Sequence, residues 1–413
     1  MTYHDHHIHP IGYATFVNGL ELMDSVDLAD LTARVARFAD TVEGAVIGQR
    51  LNDEGLAEGR LPTRDDLDDV IGDRPTLLYR YCGHIAVANS AALSLAGVGY
   101  GTPDPEGGSF DRDPTGEPTG VLRETAIQSV SSALAPLVNG PSDAAILRAL
   151  GDLAAMGLGS ITGIVSAGEP LWCGVTDELD VLCRLAPDLP IDVDVLVIAP
   201  DPQLLAEAAE KIRRSQGRVR FLGWKEFADG SFGGHTAALH DPFTDRPDTR
   251  GTERLDREHA TMMARAAMML GGTVAVHAIG DRANDAVLDL FEDLVDMGAD
   301  PTRLRVEHAS LLTAAAVERM ARLGVTASVQ PAFLASEGDW LVKRLGDERM
   351  RQVYPFRSLI QAGIQVIGGS DSPVELPDPT IGINAAIDRP GFDPSEGLTP
   401  DEAAALFAPP ARF

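Results

Sequence analysis

The chain has 413 residues, of which 44% are hydrophobic and 23% are charged, and this composition excludes disordered and fibrous proteins. Its 34 basic and 62 acidic side chains give a net charge of −28, which disfavours nucleic acids and anionic membranes as partners. No apolar run is long enough for a transmembrane helix, and the first residues lack the features of a signal peptide. The three cysteines, Cys82, Cys173 and Cys183, predict neither a disulfide framework nor a metal site. We therefore expect a cytoplasmic protein.

Strand-like and helical stretches alternate along most of the chain, which favours parallel βαβ units. The predicted strands are a short N-terminal one that carries His7 and His9, then 160–166, 191–199, 219–227, 273–277, 304–308, 325–330 and 365–370. The predicted helices are 142–156, 201–216, 257–270, 281–297, 312–323 and 356–362. Eight such units predict an α/β fold, a closed (β/α)₈ TIM barrel, formed by 1–24 and 141–413.

Residues 25–140 interrupt this alternation and predict an α/β insertion between the first and second barrel strands. The stretches 44–49 and 76–81 are strand-like, and a helix is expected near 86–96. The segment 101–120, also within this insertion, is rich in Gly, Pro and Asp. Long insertions in enzymes often form lids or pocket walls, and a surface subdomain without such a role is the alternative.

Six polar residues lie at the carboxyl ends of five predicted strands, where barrel enzymes build their active sites. His7 and His9 are two positions apart on the first strand, so both rings can face the same side. Imidazole and carboxylate groups are common ligands of Zn²⁺ and similar divalent metals. Each residue alone has an ordinary structural explanation, but their shared position predicts a metal site. The other four members end strands four, five, six and eight: Lys225, His277, His308 and Asp371.

Lys225 needs a particular explanation, because only three of the 34 basic residues are lysines and this one lies in an apolar strand. Metal ions would repel a free ammonium group. Reaction with CO₂ would convert it to a carbamate, an anionic oxygen ligand that can bridge two metals. The alternative is a lysine whose ammonium group reaches out to the barrel rim.

Several stretches of the sequence resemble the amidohydrolase superfamily, and in particular the YtcJ-like group that includes N-substituted formamide deformylases. The similar stretches are 5–9 (DHHIH), 61–66 (LPTRDD), 83–93 (GHIAVANSAAL), 116–122 (GEPTGVL), 225–239 (KEFADGSFGGHTAAL), 276–282 (VHAIGDR), 305–309 (RVEHA) and 369–374 (GSDSPV). The resemblance implies a (β/α)₈ barrel that uses a metal-activated hydroxide. The family usually adds a β-sandwich built from both termini, which we do not expect here, because four residues precede Asp5 and the chain ends at Phe413.

The resemblance also implies a role for each residue of the predicted site. The two histidines of the first strand and Asp371 would hold the more buried of one or two ions, for which we expect Zn²⁺. The histidines of strands five and six would hold the second ion, and carboxylated Lys225 would bridge the two. Asp371 would take a proton from the attacking water and pass it to the leaving amine.

Carboxylates often orient metal-binding histidines, and Asp5, Glu307 and Asp281 are the candidates for this role. Asp5 is two positions before His7 and can share its face of the strand. Glu307 adjoins His308, and neighbours on a strand point to opposite faces. Salt bridges elsewhere are the alternative for each.

We predict a metal-dependent hydrolase that cleaves a carbon–nitrogen bond, of the amide or formamide type, in a small molecule. Candidate substrate contacts are His84 and Asn89 in the insertion and His235 in the loop after strand four, where relatives carry arginine. The same site could instead open lactones or other esters. An incomplete barrel with a binding role is the alternative outside enzymes. A homodimer is the expected assembly on general grounds.

Overall fold

The computed structural model describes residues 2–105, 107–138, 140–168 and 177–410. Cys173 lies outside the described residues. No helix in the described part of the chain has the length and apolar character needed to cross a membrane. The contacts divide the chain into two compact units, of which one comprises 1–10, 147–168 and 179–413 and the other 11–146 and 169–178.

Eight parallel strands form a nearly closed barrel in the first unit, as the alternation of elements predicts. The order of the strands around the barrel follows their order along the chain. The observed bounds differ from the predicted ones only near the strand ends. They are Tyr3–Ile8, Leu158–Ser166, Asp192–Ile198, Val219–Phe227, Thr273–Ala278, Leu304–His308, Thr326–Val329 and Val366–Gly368.

The first strand is joined to the loop after the eighth strand by backbone hydrogen bonds. The amide of Asp371 donates to His7 O (2.7 Å), and the amide of His9 donates to Ser372 O (2.9 Å). We call this junction the barrel seam. It brings the ends of the first and eighth strands, and the polar residues they carry, to one place.

Asp5 and Gly369 determine the geometry of the barrel seam. The buried Oδ1 of Asp5 accepts from the backbone amides of His7 (3.0 Å) and Ser370 (3.1 Å). A methyl group at Gly369 would lie 2.5 Å from the amide nitrogen of His7 and 2.8 Å from Asp5 Oδ1, which is too close for any side chain. A glycine is therefore required where the two segments approach each other.

Amphipathic helices follow the barrel strands, and side chains cap several of their first turns. Asp201, for example, accepts from the amide of Leu204, and Thr313 accepts from that of Ala316. The helices outside the insertion are Asp143–Ala155, Glu178–Leu185, Pro202–Arg214, Arg257–Met269, Asp281–Asp296, Ala314–Leu323, Phe333–Glu337, Leu341–Met350, Phe356–Gln361, Pro379–Asp388 and Pro400–Ala405.

The second unit contains a six-stranded sheet, whose first three strands are parallel and whose others are antiparallel. Leu77 and Tyr79 lie in one apolar cluster and Leu78 in another, so the sheet buries both faces. In sheet order the strands are Leu20–Glu21, Val46–Leu51, Thr76–Arg80, Ile85–Ala88, Pro118–Glu124 and Gly108–Arg112. Its helices are Pro10–Val17, Leu28–Ala39, Arg64–Ile71, Ser90–Leu95 and Thr125–Leu134.

The structure differs from the expectations for this region in several places. The helix expected near 86–96 is present but shorter, Ser90–Leu95, and the strand Ile85–Ala88 precedes it. A short apolar run has no period that separates a buried strand from a helix. The segment 101–120, for which no strand was predicted, contains the strand Gly108–Arg112. The second unit also includes 11–24, which we had assigned to the barrel.

Candidate metal centre

Three of the predicted metal ligands lie together at the barrel seam. His7, His9 and Asp371 are buried, and one ligand atom from each lies within 4.8 Å of the others. The Nε2 atoms of His7 and His9 are 3.3 Å and 3.2 Å from Asp371 Oδ1. Asp371 has a φ of 57°, a left-handed conformation that is unusual for a residue other than glycine and that is found often at functional sites.

Glu307 orients the ring of His7 from the opposite side. Its Oε2 lies 2.5 Å from His7 Nδ1, and its Oε1 accepts from Arg305 Nε at 2.7 Å. Arg305 also donates to His6 O (2.9 Å), so it connects the sixth strand to the first. The side chains of Asp5 and Asp281 bind backbone amides instead of imidazoles. Of the three candidate carboxylates, only Glu307 contacts a predicted ligand in this way.

These charges alter the protonation of the seam residues in the absence of a metal. Burial disfavours the charged imidazole of His7, but the carboxylates of Asp371 and Glu307 outweigh it and raise the pKa of His7 to about 9. Burial would raise the pKa of Asp371, but neighbouring His7 holds it well below its usual range. The seam therefore holds an ionised carboxylate beside a protonated imidazole.

The two histidines of strands five and six form the other half of the site. The ring centroids of His277 and His308 are 4.5 Å apart, and that of His308 is 5.0 Å from the ring of His7. His277 Nε2 lies 2.9 Å from Gly230 O and 3.2 Å from Asp229 Oδ1. His308 Nδ1 lies 2.7 Å from Gln330 Oε1.

One nitrogen on each of three rings therefore faces a protein acceptor: Glu307 for His7, Gly230 O for His277 and Gln330 for His308. Metal-binding histidines characteristically donate their second N–H to a carboxylate or carbonyl, which fixes the tautomer and aims the other nitrogen at the metal. The chemistry of these donors and their partners thus fits a divalent metal site.

Lys225 is buried and has no carboxylate within ion-pair distance among the described residues. Its Nζ donates to Glu226 O (3.1 Å) and lies 3.7 Å from the centroid of the Phe227 ring, which is 5.4 Å from the ring of His277. Burial lowers the pKa of Lys225 to about 8. A neutral amine is the form that reacts with CO₂, so this environment favours the chemistry predicted for Lys225.

Sequence reasoning missed three residues that support the site: Asp229, Arg305 and Gln330. The buried carboxylate of Asp229 accepts from the amides of Ala238 and Gly280, and so ties the loop after strand four to the loop after strand five. Gln330 follows strand seven directly, so a search for polar residues at strand ends, as used for the metal ligands, would have found it. No comparable pattern distinguishes Arg305.

The predicted substrate contacts have different surroundings. Asn89 is fully buried, and its side chain binds the amides of Thr76 and Ala92, so its described contacts are those of a helix cap and give no support to substrate binding. His84 Nδ1 is 2.9 Å from Glu124 Oε2 within the insertion. His235 is partly exposed in the loop after strand four, with Nε2 3.1 Å from Asp245 Oδ1.

A barrel that has histidines and a carboxylate at the carboxyl ends of its strands has the arrangement of a metal-dependent barrel enzyme. The chain belongs to the amidohydrolase family, whose model matches residues 4–409. It is 34% identical to the amidohydrolase YtcJ of Bacillus subtilis (strain 168), over 98% of this chain and 77% of that protein.

Other relatives agree with this assignment. The N-substituted formamide deformylase of Arthrobacter pascens is 28% identical, over 85% of this chain and 66% of that enzyme. The solved structure of a metal-dependent hydrolase from Pyrococcus horikoshii OT3 is 30% identical and has a TM-score of 0.75, covering 98% of this chain and 79% of its own. The structure supports the barrel fold, and the family supports a hydrolase that uses a divalent metal.

Proposed function

We propose that this protein hydrolyses a carbon–nitrogen bond of the amide or formamide type in a small molecule. The observation that carries the proposal is the buried group of His7, His9 and Asp371, close to a second pair of histidines. The formamide deformylase among the relatives supports this substrate class. The family defines a hydrolase, and the choice of bond is our own inference.

The residues present would hold one or two divalent ions, for which Zn²⁺ suits the imidazole and carboxylate donors. His7, His9 and Asp371 would bind the ion at the seam, and His277 and His308 would bind the other. Such ions lower the pKa of bound water toward neutrality and polarise carbonyl groups. Lys225, as a carbamate, would contribute anionic oxygen ligands between the two positions.

Asp371 would move the proton during turnover. Because its pKa is held low, the carboxylate is ionised and can accept the proton of the attacking water at an oxygen. It would then deliver the proton to the leaving nitrogen. Glu307 and Arg305 would keep the ring of His7 in place, and the aromatic ring of Phe333, which is parallel to that of His308, would exclude water on that side.

The proposal can be tested by the metal content of full-length protein produced with zinc and bicarbonate, compared with Lys225→Ala. We expect about two metals per chain, falling in the variant. Lys343→Ala, at an exposed lysine, is the matched control and should keep its metal. The protein should then hydrolyse N-formyl or N-acyl amines.

Three outcomes would contradict parts of this proposal. One metal per chain that Lys225→Ala does not change would remove the carbamate bridge. Hydrolysis of lactones or esters without any hydrolysis of amides would change the substrate class. Absence of bound metal and of hydrolysis would favour a barrel with a binding role.

A further inference from the structure

Gln330 and His308 form a buried pair at the ends of strands seven and six. Gln330 Oε1 lies 2.7 Å from His308 Nδ1, and the glutamine is fully buried. Its Nε2 is also buried and makes no hydrogen bond among the described residues. A buried amide nitrogen without a partner destabilises the fold. The glutamine is therefore poorly explained by packing alone, and its oxygen is the atom with a defined contact.

The backbone beside this pair is strained. His308 has a φ of 69° and Ala309 a φ of 45°, so two successive residues other than glycine adopt the left-handed region. Such conformations cluster at sites where the geometry serves a function. Neighbouring side chains on a strand normally point to opposite faces. The turn at the end of strand six instead lets both His308, whose ring lies 5.0 Å from that of His7, and Glu307 contact His7.

From this geometry we propose that Gln330 is a positioning residue, which selects the ring nitrogen that His308 offers to the second metal position. An oxygen acceptor at Nδ1 keeps the proton on that nitrogen, so Nε2 carries the lone pair. Gln330 thereby does for His308 what Glu307 does for His7. This inference rests on the proposed function, because it requires that His308 bind a metal.

Glu307, the partner of His7, is charged, whereas Gln330, the partner of His308, is neutral. This difference allows the role of the acceptor oxygen to be tested. An ionised Glu accepts hydrogen bonds only, whereas the amide of Gln both donates and accepts. If the nitrogen of Gln330 faced Nδ1, the proton of the ring would lie on Nε2 and that nitrogen could not bind a metal. Replacement by glutamate therefore preserves the proposed role, and replacement by methionine removes it at a similar size.

The test uses full-length protein stripped of metal by a chelator and titrated with Co²⁺, whose visible absorption reports its ligands. For wild-type protein we expect two bound equivalents. In Gln330→Met, the affinity for one equivalent should fall about 10- to 100-fold, with a changed spectrum, while the other equivalent is unaffected. Gln330→Glu should restore the affinity to within a few-fold of wild type.

Gln365→Met is the matched control, because Gln365 is an exposed residue beside strand eight and its side chain should not affect Co²⁺ binding. Gln330→Asn, which stays polar but is one methylene shorter, should weaken binding as methionine does, and it serves if Gln330→Met does not fold. Wild-type affinity and spectrum in either variant would overturn the proposal. If Gln330→Glu weakened Co²⁺ binding as much as Gln330→Met does, the proposal would be overturned too, because an acceptor oxygen at this position would then have no effect. Wild-type protein that binds no Co²⁺ would instead refute the proposed function.

Discussion

The two halves of the metal centre are built with different partners. At the barrel seam, His7 lies between two carboxylates, those of Asp371 and Glu307. On the other side, His308 contacts the neutral Gln330 oxygen at 2.7 Å, and His277 lies 2.9 Å from Gly230 O and 3.2 Å from the carboxylate of Asp229. Carboxylates attract a proton as well as a metal, whereas neutral acceptors only orient the ring. The seam must therefore release a proton from His7 to bind its ion, whereas burial already holds the pKa of His308 well below its usual value.

The largest effect on activity should come from replacing Asp371, the carboxylate at the barrel seam. Asp371→Asn should keep bound metal, because four histidines and Lys225 remain, but lose about 10²- to 10⁴-fold in turnover, because no carboxylate is left there to move the proton. Elemental analysis and rates with an amide substrate would test this. Asp388→Asn, at an exposed helix end, is the control. Full activity in Asp371→Asn would disprove the role given to the carboxylate.

The pH dependence of metal binding should differ between the halves. Since the pKa of His7 is about 9 without metal, its ring is protonated at pH 7 and must release that proton on binding. Affinity at the seam should therefore rise by about tenfold per pH unit up to about pH 9. Calorimetry in buffers of different ionisation enthalpy would count the released protons.

Glu307→Gln is the control for that measurement, since it removes one carboxylate that raises the pKa of His7. In this variant the rise in affinity should end at a lower pH. A seam affinity that does not change between pH 7 and pH 9 would show that His7 is neutral before the metal binds.

A smaller effect, on the stability of the protein, should follow from adding a methyl group at Gly369 in the barrel seam. In Gly369→Ala the new methyl group would lie 2.5 Å from the amide nitrogen of His7, so strands one and eight must separate. We expect a loss of about 1–3 kcal/mol in the free energy of unfolding, together with weaker metal binding at the seam only. Gly151→Ala, on a helix with open space around it, should not destabilise the protein. Equal thermal stability of the two variants would contradict the close approach described here.

The sequence was sufficient to predict the barrel, and the same alternation of strands and helices selected six candidate ligands, because it places the carboxyl ends of parallel strands together. The residues that orient them were predicted only in part: Glu307 was a candidate for this role and contacts His7. Glu307 adjoins His308 and was expected to point away, but the left-handed turn at His308 ends the alternation of the strand. Gln330 follows strand seven directly, so a search for polar residues at strand ends would have found it, whereas no local pattern encodes the contacts that Asp229 makes with the loop after strand five.

The barrel seam also has a consequence for the order of events during synthesis. His7 leaves the ribosome long before its backbone partner Asp371, which lies 364 residues further along the chain. Until then the first strand has no neighbour on that edge, and an ion that meets its histidines finds only part of its ligands. Completion of the seam site thus coincides with the pairing of strands one and eight, so an ion bound there would stabilise a contact that forms only after all eight strands have been made.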